Sequence, residues 1–161
     1  NSETSEKLIK YLIKHAHWSP LEMVSACLEI NTTRDIAHQI VRHRSFSFQE
    51  FSQRYADPKE FGDQFVLREA RLQDIDKSKE VYEWAINAGI AKEQARVVLP
   101  EGLTKTRLYM NGTLRSWIHY IELRGANGTQ QEHMDIAHAC AKVIAEIFPL
   151  AKDLVNEAEV H

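Results

Sequence analysis

The segment 39–55 concentrates side chains that could bind a phosphorylated, aromatic ligand. It contains three arginines, one histidine, one glutamate, three serines and three phenylalanines. An arginine guanidinium is planar and pairs with two phosphate or carboxylate oxygens at once, and a phenylalanine ring offers a flat apolar face. The segment therefore predicts a site for a nucleotide or a nucleotide cofactor. A salt-bridged surface loop would have the same composition, so composition alone leaves both interpretations open.

The other residues that could do chemistry give weaker signals. His15 and His17 could bind a metal from one face of a strand, but at the helix end where we expect them they do not converge. Ser52 has no histidine–acid relay at a recognisable spacing, and an unactivated hydroxyl is a weak nucleophile. Neither Cys27 nor Cys140 lies in an electropositive loop, which disfavours a cysteine nucleophile. We therefore expect no metal site, and we expect Ser52 to bind phosphate or substrate.

Composition indicates one domain and a small anionic ligand. A length of 161 residues and a hydrophobic fraction of 43% suit one core, and a net charge of -3 argues against a nucleic-acid polymer as partner. Positive charge is concentrated in four arginines that lie among only two acids: Arg34, Arg42, Arg44 and Arg54, with Asp35 and Glu50. Two cysteines give no disulfide framework, so a reducing cytosol fits best. We see neither a membrane-spanning run nor a signal peptide.

Hydrophobic periodicity predicts both helices and strands. Strand patterns cover 24–31, 65–72 and 104–110, although a helix stays open for 65–72. Helical spacing predicts helices over 5–16, 33–42, 79–88, 91–98, 113–123 and from 129 onward. In this arrangement His43 and Arg44 follow the end of a helix, and Arg115 lies one turn before His119 on another.

The caps and the buried faces of these elements can be predicted from the same patterns. Ser19 with Glu22, and Thr129 with Glu132, have the spacing of capping boxes. Asn111-Gly112-Thr113 has the turn and cap chemistry that begins a helix, and Gly89 is expected to end the helix over 79–88. We expect the earlier helices to bury Ile36, Ala37, Ile40, Val41, Val81, Trp84, Ala85, Trp117, Ile118, Tyr120 and Ile121. The apolar stripe of the last helix is expected either in the core or in a subunit interface, and it consists of Ile136, Ala137, Cys140, Val143, Ile144 and Ile147. Two histidines of the last helix, His133 and His138, are expected on the surface.

Four segments, in order along the chain, resemble the flavin-dependent thymidylate synthases, the ThyX family. Arg42-His43-Arg44, followed after seven residues by Ser52-Gln53-Arg54-Tyr55, is similar to that family's signature. The segment 17–22 resembles its flavin-contacting segment. The segments 95–100 and 115–124 resemble its Ala-Arg-x-x-Leu-Pro segment and its Arg-Ser and Leu-Arg pair. The matches run from about residue 15 to 132, which is most of the chain.

The resemblance implies an α+β fold in which a mainly antiparallel sheet packs with helices. It implies conversion of dUMP to dTMP, with methylenetetrahydrofolate as carbon donor, FAD as cofactor and NADPH as reductant. It also implies a cytoplasmic homotetramer whose subunits share their sites, built from a single domain over residues 1–161. Family members carry a strand before the position of residue 1 and a longer insertion near 74–79. Both are missing here, through deletion or because the sequence omits them, and we expect the second.

Carried over residue by residue, the resemblance implies two sets of contacts. The positions that match FAD contacts are Ser19, Glu22, Arg42, His43, Arg44, Glu50, Thr113, Arg115 and His119. Better-known members often carry Asn at the positions of Thr113 and His119. The positions that match dUMP contacts are Gln39, Arg42, Glu50, Phe51, Ser52, Gln53, Arg54, Arg96 and Arg124. Arg124 is the expected catalytic residue, because a fixed cation would stabilise negative charge that develops on the uracil ring.

Two other functions stay open on the sequence. A metal-dependent nucleotide hydrolase would bind its metal through histidines, and the candidates are His15, His17, His38 and His43. It would also need converging carboxylates, for which we find no supporting spacing. A non-catalytic nucleotide-binding module would use the same arginines and would bind its ligand without turnover.

Overall fold

The computed structural model of this protein describes residues 2–52 and 75–148. The predicted strand 65–72 and two predicted substrate contacts, Gln53 and Arg54, lie outside the described residues.

Six helices and three strands form the regular structure of these ranges. The helices are α1 (Ser2–Lys14), α2 (Arg34–Ile40), α3 (Ile75–Asn87), α4 (Lys92–Ala95), α5 (Leu114–Gly125) and α6 (Gln131–Ile147), with short 3-10 helices over Ser19–Glu22 and Arg96–Val98. The strands are β1 (Ser25–Thr33), β2 (Ser47–Glu50) and β3 (Lys105–Thr113). They form an antiparallel sheet in the order β1–β3–β2, which confirms the predicted α+β class. None of the described helices combines the length and the apolar character that a membrane span requires.

The chain forms two compact units. The first unit consists of Asn1–Leu28, His43–Ser47 and Met110–His161, and the second consists of Glu29–Arg42 and Phe48–Tyr109. The arginine signature is divided between them, since Arg42 belongs to the second unit and His43 and Arg44 to the first.

Helix α5 is the centre of the first unit. Thr113 begins the helix: its backbone is extended and its Oγ1 accepts a hydrogen bond from the backbone N–H of Ser116 at 3.2 Å, so the predicted cap is confirmed. The four residues expected inside are all buried: Trp117, Ile118, Tyr120 and Ile121. Trp117 also donates from Nε1 to the carbonyl of Ala26 at 3.1 Å, which ties α5 to β1. The buried face of α5 packs along α6.

Phe46 fixes the loop that carries His43. Its ring is 8% exposed and meets Trp117 and Tyr120 edge-on, with centroids 4.9 Å and 5.9 Å apart. Gly112 provides the space for this ring, because a Cβ added there would lie 2.4 Å from Phe46 Cδ1. A side chain at position 112 would therefore displace the ring that anchors the loop.

Helix α6 presents a different face to the core from the predicted one. Three of the expected residues are buried: Ala137, Cys140 and Ile144. Val143 and Ile147 are 46% and 71% exposed in the single chain, so of the two predicted locations the core is excluded for them. The buried stripe instead extends back to His133, which is 0% exposed and lies one turn before Ala137. The predicted surface position of His133 is wrong for that reason.

The two predicted capping boxes do not form in the described part of the chain. Ser19–Glu22 is a 3-10 helix preceded by Trp18, which makes no side-chain cap. Glu22 instead pairs with Arg115, far along the sequence. Helix α6 begins one residue later than predicted, after Gln130, and also without a side-chain cap.

Strand β1 is half-buried, as predicted, and α2 buries most of its predicted face. Exposure alternates along β1 and ends in buried Ile30 and Thr33, as expected for a half-buried strand. In α2, the residues expected inside are buried at three positions: Ile36, Ala37 and Ile40. Val41 is 38% exposed, so its predicted burial is wrong, because the helix ends at Ile40.

Gly89 terminates helix α3 as predicted, but of the three residues predicted to be buried in this helix the structure buries one, Ala85. Gly89 has φ 78° and donates to Ile86 O, while the next residue donates to Ala85 O, which is the Schellman arrangement. Tyr82, 2% exposed, and Ala85 form a core cluster with Ala95 and Leu99 of the following helical segments. Val81 and Trp84 are 44% and 64% exposed, so their predicted burial is wrong.

Candidate functional site

A pocket in the first unit collects residues from three separate parts of the sequence. Its volume is about 420 Å³. It is lined by Glu22, Ser45, Thr113, Arg115, Ser116 and His119. Four of these, Glu22, Thr113, Arg115 and His119, are residues that the sequence predicts as cofactor contacts.

The first turns of α5 position most of this lining. The Thr113 cap fixes the start of the helix, so that Arg115 and Ser116 lie on its first turn and His119 one turn further. Arg115 Nη1 pairs with Glu22 Oε1, and the His119 ring meets the Trp18 ring at a centroid distance of 4.5 Å. The 3-10 helix Ser19–Glu22 packs against α5.

The lining of the pocket fits a phosphorylated ligand. It offers a guanidinium, three hydroxyls, an imidazole and one carboxylate, which are groups that bind phosphate oxygens and sugar hydroxyls. The N-terminal turn of a helix also favours an anionic group. A volume of about 420 Å³ lies within the roughly 300–1,000 Å³ of small-molecule sites. These residues therefore fit part of a nucleotide cofactor such as FAD.

Arg124 lies at the other end of α5, against His43. Its Nε donates to His43 Nε2 at 2.9 Å. The His43 ring meets the buried Tyr120 ring edge-on at a centroid distance of 5.0 Å. The Tyr120 hydroxyl oxygen lies 3.1 Å from His133 Nε2 on α6. Among the described residues, no carboxylate pairs with Arg124.

Three described side chains near Arg124, namely His43, Tyr120 and His133, are neutral near pH 7. Burial lowers the pKa of His43, and the charge of Arg124 lowers it further. Burial, followed by Arg124 and His43, lowers the pKa of His133 to about 4. Burial raises the pKa of Tyr120, so its hydroxyl stays protonated. Arg124 is thus a cation held by a neutral acceptor.

Glu50 is the centre of a second polar cluster, in the second unit. Its Oε1 accepts hydrogen bonds from Thr106 Oγ1 at 2.8 Å and from Arg34 Nη1 at 3.4 Å. Arg34 Nε also pairs with Glu101 Oε1 at 3.1 Å. Thr106 is 3% exposed, so the carboxylate of Glu50 is held from the buried side of β3.

The remaining candidates among the described residues lie on helix ends, strand ends and loops. In the second unit, Gln39 on α2, Phe51 after β2 and Arg96 in the second 3-10 helix are half-buried. Four further candidates are exposed: Ser19, Arg42, Arg44 and Ser52. The structure brings four predicted cofactor contacts to one pocket. It also places His43, a predicted FAD contact, against Arg124, a predicted dUMP contact.

Some of the residues that complete these clusters were not predicted as site residues. Ser45 and Ser116 line the pocket, Thr106 holds Glu50, and Tyr120 and His133 lie beside His43. The sequence carried a signal for Ser116, because it is the third residue after the predicted helix cap Thr113. The contact of Thr106 with Glu50 joins positions 56 residues apart, and no local pattern reports it.

The histidines considered for a metal do not form a metal site in the described ranges. His15 and His17 are exposed, with ring centroids 6.3 Å apart. His38 Nδ1 lies 3.8 Å from Glu101, which gives one carboxylate partner only. No group of three or more potential ligands converges among the described residues.

Comparison with known proteins identifies the class to which this fold and site belong. Residues 1–150 match the family model of the thymidylate synthase complementing proteins. This match covers nearly the whole chain of 161 residues, so the chain belongs to that family.

Individual relatives carry the more specific name. The chain is 44% identical over 178 positions to a probable flavin-dependent thymidylate synthase of Paramecium bursaria Chlorella virus 1, over 96% of this chain and 82% of the relative. It is 45% identical over 169 positions to the flavin-dependent thymidylate synthase of Synechocystis sp., over 89% and 76% of the two chains. The enzyme of that name from Thermotoga neapolitana is 30% identical over 162 positions, over 92% and 74%. The family predicted from four short segments is confirmed.

Proposed function

We propose that this protein catalyses the FAD-dependent methylation of dUMP to dTMP, with methylenetetrahydrofolate as carbon donor and NADPH as reductant. The main support is the pocket of the first unit. Glu22 and Arg115 come from two segments that resemble the family independently, and they line one cavity with Thr113 and His119. No local sequence rule requires residue 22 to meet residue 115, so their meeting supports a common ligand.

The pocket would hold a phosphate-bearing part of FAD. Arg115 would bind phosphate, the hydroxyls of Ser45 and Ser116 would add hydrogen bonds, and Glu22 would accept from ligand hydroxyl or amine groups. FAD, when bound, supplies the hydride chemistry that amino-acid side chains lack. The proposed set of cofactor contacts is completed by Ser19, Arg42, His43, Arg44, Glu50, Thr113 and His119.

The second unit supplies most of the proposed substrate contacts. They are Gln39, Arg42, Glu50, Phe51, Ser52, Gln53, Arg54 and Arg96. The guanidinium groups suit the phosphate of dUMP. Glu50 is fixed by Thr106 and Arg34, so it would offer an acceptor in a defined direction. Such fixed contacts lower the barrier by orienting the substrate.

Arg124 is the proposed catalytic residue. It would stabilise negative charge as the uracil ring becomes electron-rich and attacks the methylene carbon from C5. The effect is that of an oxyanion hole, in which a fixed positive group waits for charge that develops in the transition state. Its neutral partner His43 supports this role, because no carboxylate within residues 2–52 and 75–148 offsets the charge of the guanidinium.

We also propose a homotetramer of one-domain subunits in the cytoplasm. Trp84, Val143 and Ile147 are large apolar side chains that are strongly exposed in the single chain, and burial between subunits would remove them from water. Cys27 and Cys140 are free thiols, and Cys27 is exposed, which suits a reducing compartment.

The colour of the purified protein tests the proposal at its first step. We expect a yellow protein with flavin absorption that bleaches when NADPH is added without oxygen. A colourless protein that cannot be reconstituted with FAD would contradict the proposal. A yellow protein that binds dUMP but forms no dTMP would favour a non-catalytic binding module instead.

A further inference from the structure

His133 is fully buried, although the proposed reaction gives it no role. It is 0% exposed on α6, and its Nε2 lies 3.1 Å from the hydroxyl of Tyr120 on α5. Burial of a polar pair between two helices costs desolvation, and two apolar rings of similar size would fill the same space. Packing alone therefore does not account for the pair.

The Tyr120 ring connects this pair to Arg124. It is 1% exposed and meets the His43 ring edge-on, with centroids 5.0 Å apart and ring planes at 88°. His43 Nε2 in turn accepts the hydrogen bond from Arg124 Nε. Tyr120 and Arg124 are four residues apart on α5 and share one face, so His43 lies against both. A displacement of the Tyr120 ring would reach Arg124 through His43.

The contact with Arg124 requires one particular state of His43. Nε2 can accept only while it carries no proton, so His43 must be neutral and protonated on Nδ1. The groups that face it favour that state: Arg124 is a cation, and Tyr120 and His133 are uncharged at neutral pH. A rotated ring or the other tautomer would lose the acceptor.

We propose that Tyr120 and His133 are positioning residues for Arg124, which act by fixing the orientation and the tautomer of His43. His133 anchors the Tyr120 hydroxyl, the Tyr120 ring restrains the His43 ring, and His43 holds Arg124 by Nε. The terminal N–H groups of the guanidinium then keep a fixed direction toward a ligand. The inference rests on the proposed function, because it takes Arg124 as the group that contacts the uracil ring.

Steady-state kinetics on four variants test the chain of contacts. Tyr120→Phe removes only the hydroxyl, and His133→Phe removes its partner. We expect each to lower kcat about tenfold while the KM for dUMP stays within about twofold. Since both break the same bond, the double variant should lose no more than the worse single variant. His133→Gln keeps a polar group within reach and should recover most of the loss.

Ile144→Ala is the matched control for stability. Ile144 is 3% exposed on the same helix face as His133 and has no polar group to lose. The variant should lower the melting temperature at least as much as Tyr120→Phe and leave kcat close to that of the unchanged protein. If Ile144→Ala lowers kcat as much as Tyr120→Phe does, the loss reflects core stability and the proposal is overturned.

A second readout does not depend on turnover. NMR of the protein with 15N-labelled histidine reports the tautomer of each ring, and a His43→Gln variant assigns the His43 signals. We expect the Nδ1-protonated tautomer at His43 in the unchanged protein, and a mixture of tautomers in Tyr120→Phe and His133→Phe.

The two readouts separate this inference from the proposed function. If the unchanged protein forms no dTMP but its His43 tautomer responds to Tyr120→Phe, the positioning of His43 stands and the proposed reaction fails. If dTMP forms and either kcat or the tautomer is unaffected by both single variants, the proposed reaction stands and the positioning role is overturned.

Discussion

Arg34 and Arg124 are both held by side-chain acceptors, but the acceptors differ in charge. Arg34, in the second unit, pairs through Nε with Glu101 at 3.1 Å and through Nη1 with Glu50 at 3.4 Å. Arg124, in the first unit, donates through Nε to the neutral ring of His43 at 2.9 Å. Carboxylates offset the charge of Arg34, whereas the acceptor that the described residues offer to Arg124 is an uncharged imidazole. The difference fits the proposal that Arg124, and not Arg34, contacts a ligand.

The two units also differ in how they support their candidate residues. In the first unit, a single capped helix carries Thr113, Arg115, His119 and Arg124, and its other side is buried against α6. In the second unit, the candidates that the structure describes lie at or near the ends of short elements. Rigid support on one long element favours precise placement, which a catalytic group needs more than a binding group does.

The largest effect should come from loss of the charge of Arg124. We expect Arg124→Ala to lower kcat for dTMP formation by about 100-fold to 1,000-fold, as does the loss of one oxyanion-hole donor. The flavin content should change little, because the pocket residues are untouched. Initial rates and the ratio of flavin to protein absorbance measure both quantities.

Arg107→Ala is the control for that substitution. Arg107 pairs with Glu29 on the strands and belongs to neither proposed set of contacts. It should keep kcat near the unchanged value. If Arg107→Ala lowers kcat as much as Arg124→Ala does, the difference between an arginine held by a neutral acceptor and one held by a carboxylate has no bearing on catalysis.

The next largest effect should be on cofactor affinity. Arg115→Ala should weaken FAD binding by about tenfold or more, because a charge-assisted contact to phosphate is lost from the pocket. Its pair with Glu22 is about 40% exposed on both sides, so the free energy of unfolding should change by less than about 1 kcal/mol. Titration of the apoprotein with FAD measures the affinity, and chemical denaturation measures the free energy of unfolding. Unchanged FAD affinity would exclude this pocket as the cofactor site.

Gly112→Ala should destabilise the first unit by about 1–3 kcal/mol, since the new Cβ overlaps the buried ring of Phe46. The loop with His43 should loosen as a result, and kcat should fall with stability. Gly102→Ala is the control, because its Cβ would meet Asp35 at 3.7 Å, an ordinary contact. Equal thermal stability of the two variants would contradict the role assigned to Phe46.

The smallest effect should be at Glu50. Thr106→Val removes one hydrogen bond to its carboxylate, so the KM for dUMP should rise a few-fold and stability should fall by about 1 kcal/mol. Thr104→Val loses a similar buried hydrogen bond, to the carbonyl of Pro100, and should affect stability alone. The same KM in both variants would argue against a substrate role for Glu50.

The sequence predicted best what depends on neighbouring residues. The Thr113 cap, the buried face of α5 and the Gly89 end of α3 follow from spacing and turn chemistry within a few residues, and all three are confirmed. The pocket was predicted in part, because the family segments carried Glu22 and Arg115 without showing that they pair.

The predictions that were wrong depend on contacts between residues far apart in the sequence. His133 has the spacing of the buried face of α6, but histidine is more often exposed, and only the contact with Tyr120 shows why it is inside. Val81 and Trp84 are apolar at helical spacing and were expected inside. The core partners of α3 are Ala95 and Leu99, and the face of α3 that packs against them carries Tyr82. Glu22 completes no capping box because it pairs with an arginine of α5.

The formation of dTMP by the flavin-loaded protein tests the central claim most directly. The protein is incubated without oxygen with dUMP, methylenetetrahydrofolate and NADPH, each omitted in turn, and dTMP is measured by chromatography. We expect dTMP only in the complete mixture, and almost none with Arg124→Ala at equal flavin content. No dTMP from the complete mixture, or equal amounts from the unchanged protein and Arg124→Ala, would contradict the account.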